Sequence, residues 1–213
     1  KKLDMLDVIF GIAPRINAAG RINHGKVAVG LLVENHLKEA GLISEEIEKY
    51  NTERKDLDKS ITSQALEMVD IKRRSNIVYN DSWHKGVVGI VASRLIEQYY
   101  KPTIVLTKDG ENYTGSARSV KGFNIYNALL ECDHLLEKFG GHKYAAGLSV
   151  KSSNLKLFIE EFEKIVCRVI GDNDAINVIN VDMDINLNDI NFKLHRIIEQ
   201  FAPFGPKNRS PLF

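Results

Sequence analysis

Phe139-Gly-Gly-His-Lys-Tyr-Ala-Ala-Gly147 sets two flexible residues and one histidine between apolar runs, and the architecture on either side turns on it. Ahead of it, Tyr126 to Phe139 reads as a helix with Ala128, Leu129, Leu135 and Leu136 on its apolar side. Behind it, Leu148-Ser-Val150 reads as the end of a strand. Gly140 and Gly141 permit positive φ and close backbone approach, so a loop here can aim successive N–H groups at one anion, with His142 adding a titratable donor. The plainer alternative is a helix C-cap followed by a tight turn.

Working outward, the segment upstream alternates strand and helix signals. Ser75-Asn-Ile-Val-Tyr-Asn80 and Thr103-Ile-Val-Leu-Thr107 read as strands, with a turn at Asp109-Gly-Glu-Asn112. Between them a helix starts after Asp81-Ser-Trp-His-Lys-Gly86. Its N-terminus makes His84 and Lys85 a reasonable anion site, although His84 as a capping residue and Trp83 as a core anchor fit equally well. Tyr113-Thr-Gly-Ser-Ala-Arg-Ser119 is unusual for a strand because glycine and serine pack poorly; either another backbone presses on it or a ligand does. Ser116 and Arg118 offer a hydroxyl beside a guanidinium, which suits phosphate. Asn154 to Ile170 reads as an amphipathic helix closing this core.

Further upstream, Leu37, Ala40, Ile43, Ile47, Tyr50, Arg54, Leu57, Ile61, Ala65 and Met68 recur at spacings of three and four, the stripe of one long helix starting at an Asn35 cap. We read it as a connector between two domains; a coiled-coil arm is the alternative. Before it, Pro14 should end a short apolar element, and Gly25 to Val33 reads as a helix or, less simply, a strand. In Pro14-Arg-Ile-Asn-Ala-Ala-Gly-Arg-Ile-Asn23, Arg15 and Arg21 flank small residues, so two guanidinium groups project from a backbone able to pack closely. They suit a phosphate or carboxylate, or simply a solvated surface turn. Downstream, Ile176 to Ile185 alternates as a half-buried strand does, Asp189 reads as a helix cap, and the Pro- and Gly-rich end reads as a linker.

Composition narrows the classes. With 213 residues, 44% hydrophobic and 27% charged, the chain has an ordinary globular balance, and a net charge of +1 means any anion site is a local cluster. Cys132 and Cys167 form no CxxC spacing, which favours buried thiols in a reducing compartment and a cytoplasmic location. No apolar run is long enough for a membrane span, and both ends read as cut. HExxH and GxSxG motifs are absent and the carboxylates are spread on helix faces, so the cationic segments should bind a phosphodiester without cleaving it unaided.

In order, Ala13-Pro-Arg-Ile-Asn-Ala-Ala-Gly-Arg21, Trp83-His-Lys-Gly-Val-Val-Gly-Ile-Val-Ala-Ser-Arg94, Gly115-Ser-Ala-Arg118, Phe139 to Gly147 and Pro203-Phe-Gly205 resemble the RecJ single-strand-specific exonucleases of the DHH phosphoesterase superfamily. The resemblance implies an α/β fold: a DHHA1-type domain with a central mixed β-sheet flanked by helices, preceded by a long connector helix. Residues 1–34 would be the end of a DHH domain, 35–74 the connector, 75–171 the DHHA1 domain, and 172–213 a strand, helix and linker leading to a missing OB-fold. It also implies 5′ to 3′ degradation of single-stranded DNA in recombination and repair, with Mn2+ or Mg2+ held by residues upstream of this chain and none within it. A helicase and a single-strand binding protein would be further partners. By position, Arg15, Asn17, Arg21, His84, Ser116, Arg118, Gly140 and Gly141 resemble the substrate-binding residues and His142 the contact to the scissile phosphate. Trp83, Tyr113 or Tyr144 would stack a base. This chain by itself should be inactive. Two other readings remain: a phosphodiesterase for short oligonucleotides or cyclic dinucleotides, and a catalytically dead replication scaffold.

Overall fold

The computed structural model describes residues 5–170, 179–205 and 207–213. A π-helical turn at Asp7–Ile12 runs into α1 (Ala13–Ile22), with Pro14 in its first turn. Pro14 therefore does not end the helical run, which passes through it from the π-helical turn into α1. α2 (Lys26–Val33) follows, and then α3 (Leu37–Glu67), 31 residues long and so about 46 Å from end to end. His36, not Asn35, sits at its N-cap, and Glu34 accepts hydrogen bonds from the N–H groups of both. The apolar stripe does its expected work, since Ile47 packs with Ala19 and Ala28 at one end while Ile61 and Ala65 pack with Trp83 and Val91 at the other.

The second half is one five-stranded sheet in the order β1-β2-β3-β5-β4, built from β1 (Asn76–Asn80), β2 (Thr103–Asp109), β3 (Asn112–Arg118), β4 (Leu136–His142) and β5 (Ala145–Lys151). Only β1 and β2 run parallel, joined through α4 (Val88–Tyr99); the other pairs are antiparallel, which makes the sheet mixed. Alternation along the strands sends Ile104, Leu106, Ala117, Ala146 and Leu148 to a core closed by α5 (Ile125–Glu131) and α6 (Leu155–Ile170). The opposite face buries Val78 and Val105 under α4 and α3.

Two sequence expectations fail at the end of this sheet. The helix expected over Tyr126–Phe139 stops at Glu131, and after a 3-10 turn at Asp133–Leu135 the chain becomes β4. Gly140, Gly141 and His142 thus belong to an edge strand, not a loop, and the turn is Lys143-Tyr144. Gly141 is needed because a Cβ there would overlap the backbone of Ala145 and Ala146, and its φ is +149°. The strand expected at 176–185 lies partly outside the described residues, and 179–185 carry no strand. The last helix, α7 (Phe192–Glu199), is capped by Asn191, which accepts from the N–H groups of Lys193 and Leu194, while Asp189 closes a capping box with Asn186.

The junction between α3 and β1 is fastened by two charges. Glu163 on α6 accepts hydrogen bonds from the N–H groups of Arg74 (2.6 Å) and Ser75 (3.0 Å) and from the Ser75 hydroxyl (2.5 Å). Lys101 donates to the carbonyls of Ile71 (2.9 Å) and Arg73 (2.8 Å).

Candidate functional site

Opposed residues on neighbouring strands share a face of a sheet, so the register reads out two rows on the α4 side. One row is Val78, Val105, Ser116, Gly147, Gly140; the next is Asn76, Thr103, Arg118, Ala145, His142. α4 covers the β1–β3 end, whereas Gly147, Gly140 and His142 stand exposed at the other. The site is this boundary, where buried sheet gives way to bare sheet.

Two adjoining clefts occupy it. The first, about 340 Å³, is lined by Gly20, Arg21, Lys85, Gly89, Ser116 and Arg118 among others. The second, about 370 Å³, runs over Lys138, Gly140 and Gly147 and shares Lys85, Thr114 and Gly115 with the first. Close backbone packing makes the first cleft. A Cβ on Gly86 would overlap the carbonyl oxygen of Arg21, so the end of α1 is pressed onto the turn before α4, and Arg21 Nη1 donates to Gly86 O at 3.1 Å. A Cβ on Gly89 would stand 3.2 Å from both the Arg118 guanidinium and the Ser116 hydroxyl. Gly115 answers the question posed by its poorly packing strand: a Cβ there would overlap Val105, so a backbone presses on it.

The charge in the first cleft is unbalanced. Arg118 is half-buried; its Nη1 donates to Ser116 Oγ at 2.6 Å and to Ala117 O at 2.9 Å, and no carboxylate of the described residues pairs with it or with Arg21. Desolvation, and then the positive charge of Arg21, hold its pKa below the usual arginine value. Two guanidinium groups kept near one another without a described carboxylate, beside the N–H groups of Val88 and Gly89 at the start of α4, are a candidate anion site. Lys85 differs, since its ammonium is drawn to Asp109 at 2.5 Å and that contact lowers the Asp109 pKa.

The expected site residues separate into groups. Arg21, Ser116 and Arg118 meet in the first cleft, and Gly140 lines the second. His142 is exposed in the same row as Arg118, two strands away and so roughly 10 Å across the sheet. Its Nδ1 accepts from the Tyr144 N–H at 3.3 Å. Gly141 lies on the row between, facing the other side. Arg15 does not reach the cleft: it pairs with Glu48 and donates to Gly11 O. Asn17 stands exposed on α1 outside both clefts. His84 closes its own turn, its Nδ1 accepting from the Gly86 N–H at 3.1 Å. Of the three stacking candidates, Trp83 is buried with Nε1 donating to Gln64, Tyr113 is buried with its hydroxyl on Asp81, and Tyr144 alone is exposed. Lys85, expected with His84 as an anion site, lines both clefts, whereas Gly89, Thr114 and Gly147 line them without standing among the expected site residues; Gly89, a glycine in the first turn of an apolar helix, was the available signal. Among the described residues no group of three or more His, Cys, Asp or Glu side chains is placed to hold a metal.

With that geometry in place, the class is defined: a family model for the DHHA1 domain matches residues 56–167, and the chain belongs to the DHHA1-domain family. It is 37% identical over 207 residues to the single-stranded-DNA-specific exonuclease RecJ of Bacillus subtilis, an alignment covering 95% of this chain and 26% of that protein. Crystal structures of RecJ from Thermus thermophilus, in complex with Mg2+ and with Mn2+, both match with a TM-score of 0.89 at 28% identity. They cover 98% of this chain and 33% and 31% of those chains. The chain therefore spans about a quarter to a third of the length of these relatives. No helix of the described residues is long and apolar enough to cross a membrane.

Proposed function

We propose that this chain supplies the phosphate-binding half of a single-strand-specific DNA exonuclease acting from the 5′ end. The observation that carries the reading is the pair Arg21 and Arg118, unpaired with any described carboxylate and set around the Ser116 hydroxyl. A terminal phosphate in the first cleft would be neutralised by the two guanidinium groups and would accept from Ser116 and the first-turn N–H groups of α4. The strand would continue over Gly147 and Gly140, where no side chain obstructs it, with His142 contacting the linkage to be cut. Residues 75–171 would form the binding domain and 35–74 its connector. The divalent metal in the related RecJ crystal structures has no fitting ligand set among the described residues, so the residues that hold it would lie elsewhere, and binding and orientation are this chain's share of the reaction.

The test is made on the intact protein with single-stranded oligonucleotides carrying a 5′-phosphate or a 5′-hydroxyl. Arg118→Ala should weaken binding of the phosphorylated strand by roughly 1.5–3 kcal/mol and abolish the preference for it. It should slow degradation by about 10²-fold, as should His142→Ala. Unchanged preference and rate in Arg118→Ala would overturn the reading.

A further inference from the structure

A second concentration of positive charge lies outside both clefts. The groove between α3 and α4, about 550 Å³, is lined by Arg54, Lys55, Lys59 and Arg94, with the Thr62 and Ser63 hydroxyls between them. Against these four cations stand Asp58, whose side chain is mostly buried and accepts from Thr62 at 3.3 Å, and Glu97, which pairs with Arg94 at 3.1 Å. In a chain whose net charge is only +1, a local excess of two positive charges is selective.

Arg54 is the more telling residue. Its Nε is buried and has no hydrogen-bond partner among the described residues, and its Nη2 makes only a 3.3 Å contact to Asn51. A buried charged donor left unpaired costs free energy, so an acceptor is expected at this place. Lys55 and Lys59 are exposed and one helical turn apart, free to follow a flexible polyanion. On the outward face of the same helix Glu45, Glu53 and Asp56 are exposed, so a polyanion lying along α3 is disfavoured there and favoured in the groove. The groove also shares α4 with the first cleft: Arg94 is five residues beyond Gly89, about 8 Å along the helix.

We infer that the α3–α4 groove is a separate binding site for the sugar–phosphate backbone of single-stranded nucleic acid, engaging a part of the strand that the clefts do not hold. This deepens the exonuclease reading, on which it rests, by adding a contact that only a long strand can reach. Hydroxyls interleaved with cations suit phosphate oxygens, and no aromatic side chain lines the groove, so it would hold backbone without regard to base.

The experiment compares the intact protein with the double variant Lys55→Ala/Lys59→Ala, using labelled oligothymidylates of about 4 and about 16 nucleotides. Both lysines are exposed, so the thermal midpoint should not move. The salt slope for the long strand should fall by about 1.4, and its affinity at about 0.1 M salt about twentyfold, while the short strand binds as before. An unchanged long strand, or an equal loss for both lengths, overturns the site. Displacement of the long strand by polyglutamate as effectively as by unlabelled oligothymidylate would show that the groove takes acidic protein segments, and also overturns it. Failure of the cleft reading shows separately, as a short strand indifferent to Arg118→Ala.

Discussion

Replacing Gly86 by alanine tests whether the first cleft is built by packing α1 against the turn before α4. The added Cβ would overlap the carbonyl oxygen of Arg21 and would stand 3.1 Å from the ring of His84. Ordinary carbon–oxygen contact requires the end of α1 to retreat by about 1 Å. Backbone cannot yield as a flexible side chain does, so a cost of about 1–3 kcal/mol is expected from overpacking. For a chain of this size each kcal/mol lowers Tm by about 2–4 °C, giving a fall of roughly 2–12 °C in thermal denaturation. The retreat also carries the Arg21 guanidinium, now 3.1 Å from Gly86 O, away from Arg118. Binding of a 5′-phosphorylated oligonucleotide should weaken together with Tm, whereas Gly25→Ala, with nothing within 4 Å of its Cβ, should leave binding unchanged. If Gly86→Ala melts and binds as the parent does, α1 is not seated on this turn and the cleft does not exist as described.

Two further outcomes follow from buried polar contacts. The Asp81 carboxylate, accepting from the Tyr113 hydroxyl, raises the tyrosine pKa from 10.0 to about 12. A group whose pKa is raised on folding contributes its stability below the unfolded value and loses it as pH climbs through the folded one, so stability should decline between about pH 10 and 12. Tyr113→Phe should flatten that decline in denaturation curves recorded across this range, and an identical decline would place its origin elsewhere. Glu163→Ala strands the Ser75 hydroxyl and two N–H groups; with about 1–3 kcal/mol per unsatisfied buried group, urea denaturation should show a loss of at least about 2 kcal/mol. A loss below about 0.5 kcal/mol would mean that water replaces the carboxylate at almost no cost.

What the sequence made legible was periodic. The stripe from Ile43 to Ala65, the β2–β3 turn at Gly110-Glu111 and the apolar face of α6 all stand where the spacing put them, because burial enforces period. What it hid depended on backbones approaching each other. Gly140 and Gly141 look like a loop in one dimension, yet the second is a glycine because β5 crowds it, which no local pattern records. Pro14 reads as a stop from its missing N–H alone, yet the helical run passes through it. In the site, Ser116 and Arg118 were visible as odd residues in a strand and Arg21 as a charge among small residues. Arg15, its twin in the sequence, turns away because Glu48 on α3 claims it, an acid 33 positions distant.

Glu163 and Lys101 fasten the junction of the long helix with β1, while the seat of Arg21 on Gly86 holds the end of α1 against the turn before α4. Arg21 and Arg118 thus stand on two elements that both press on the start of α4, so their spacing is tied to how closely those backbones pack.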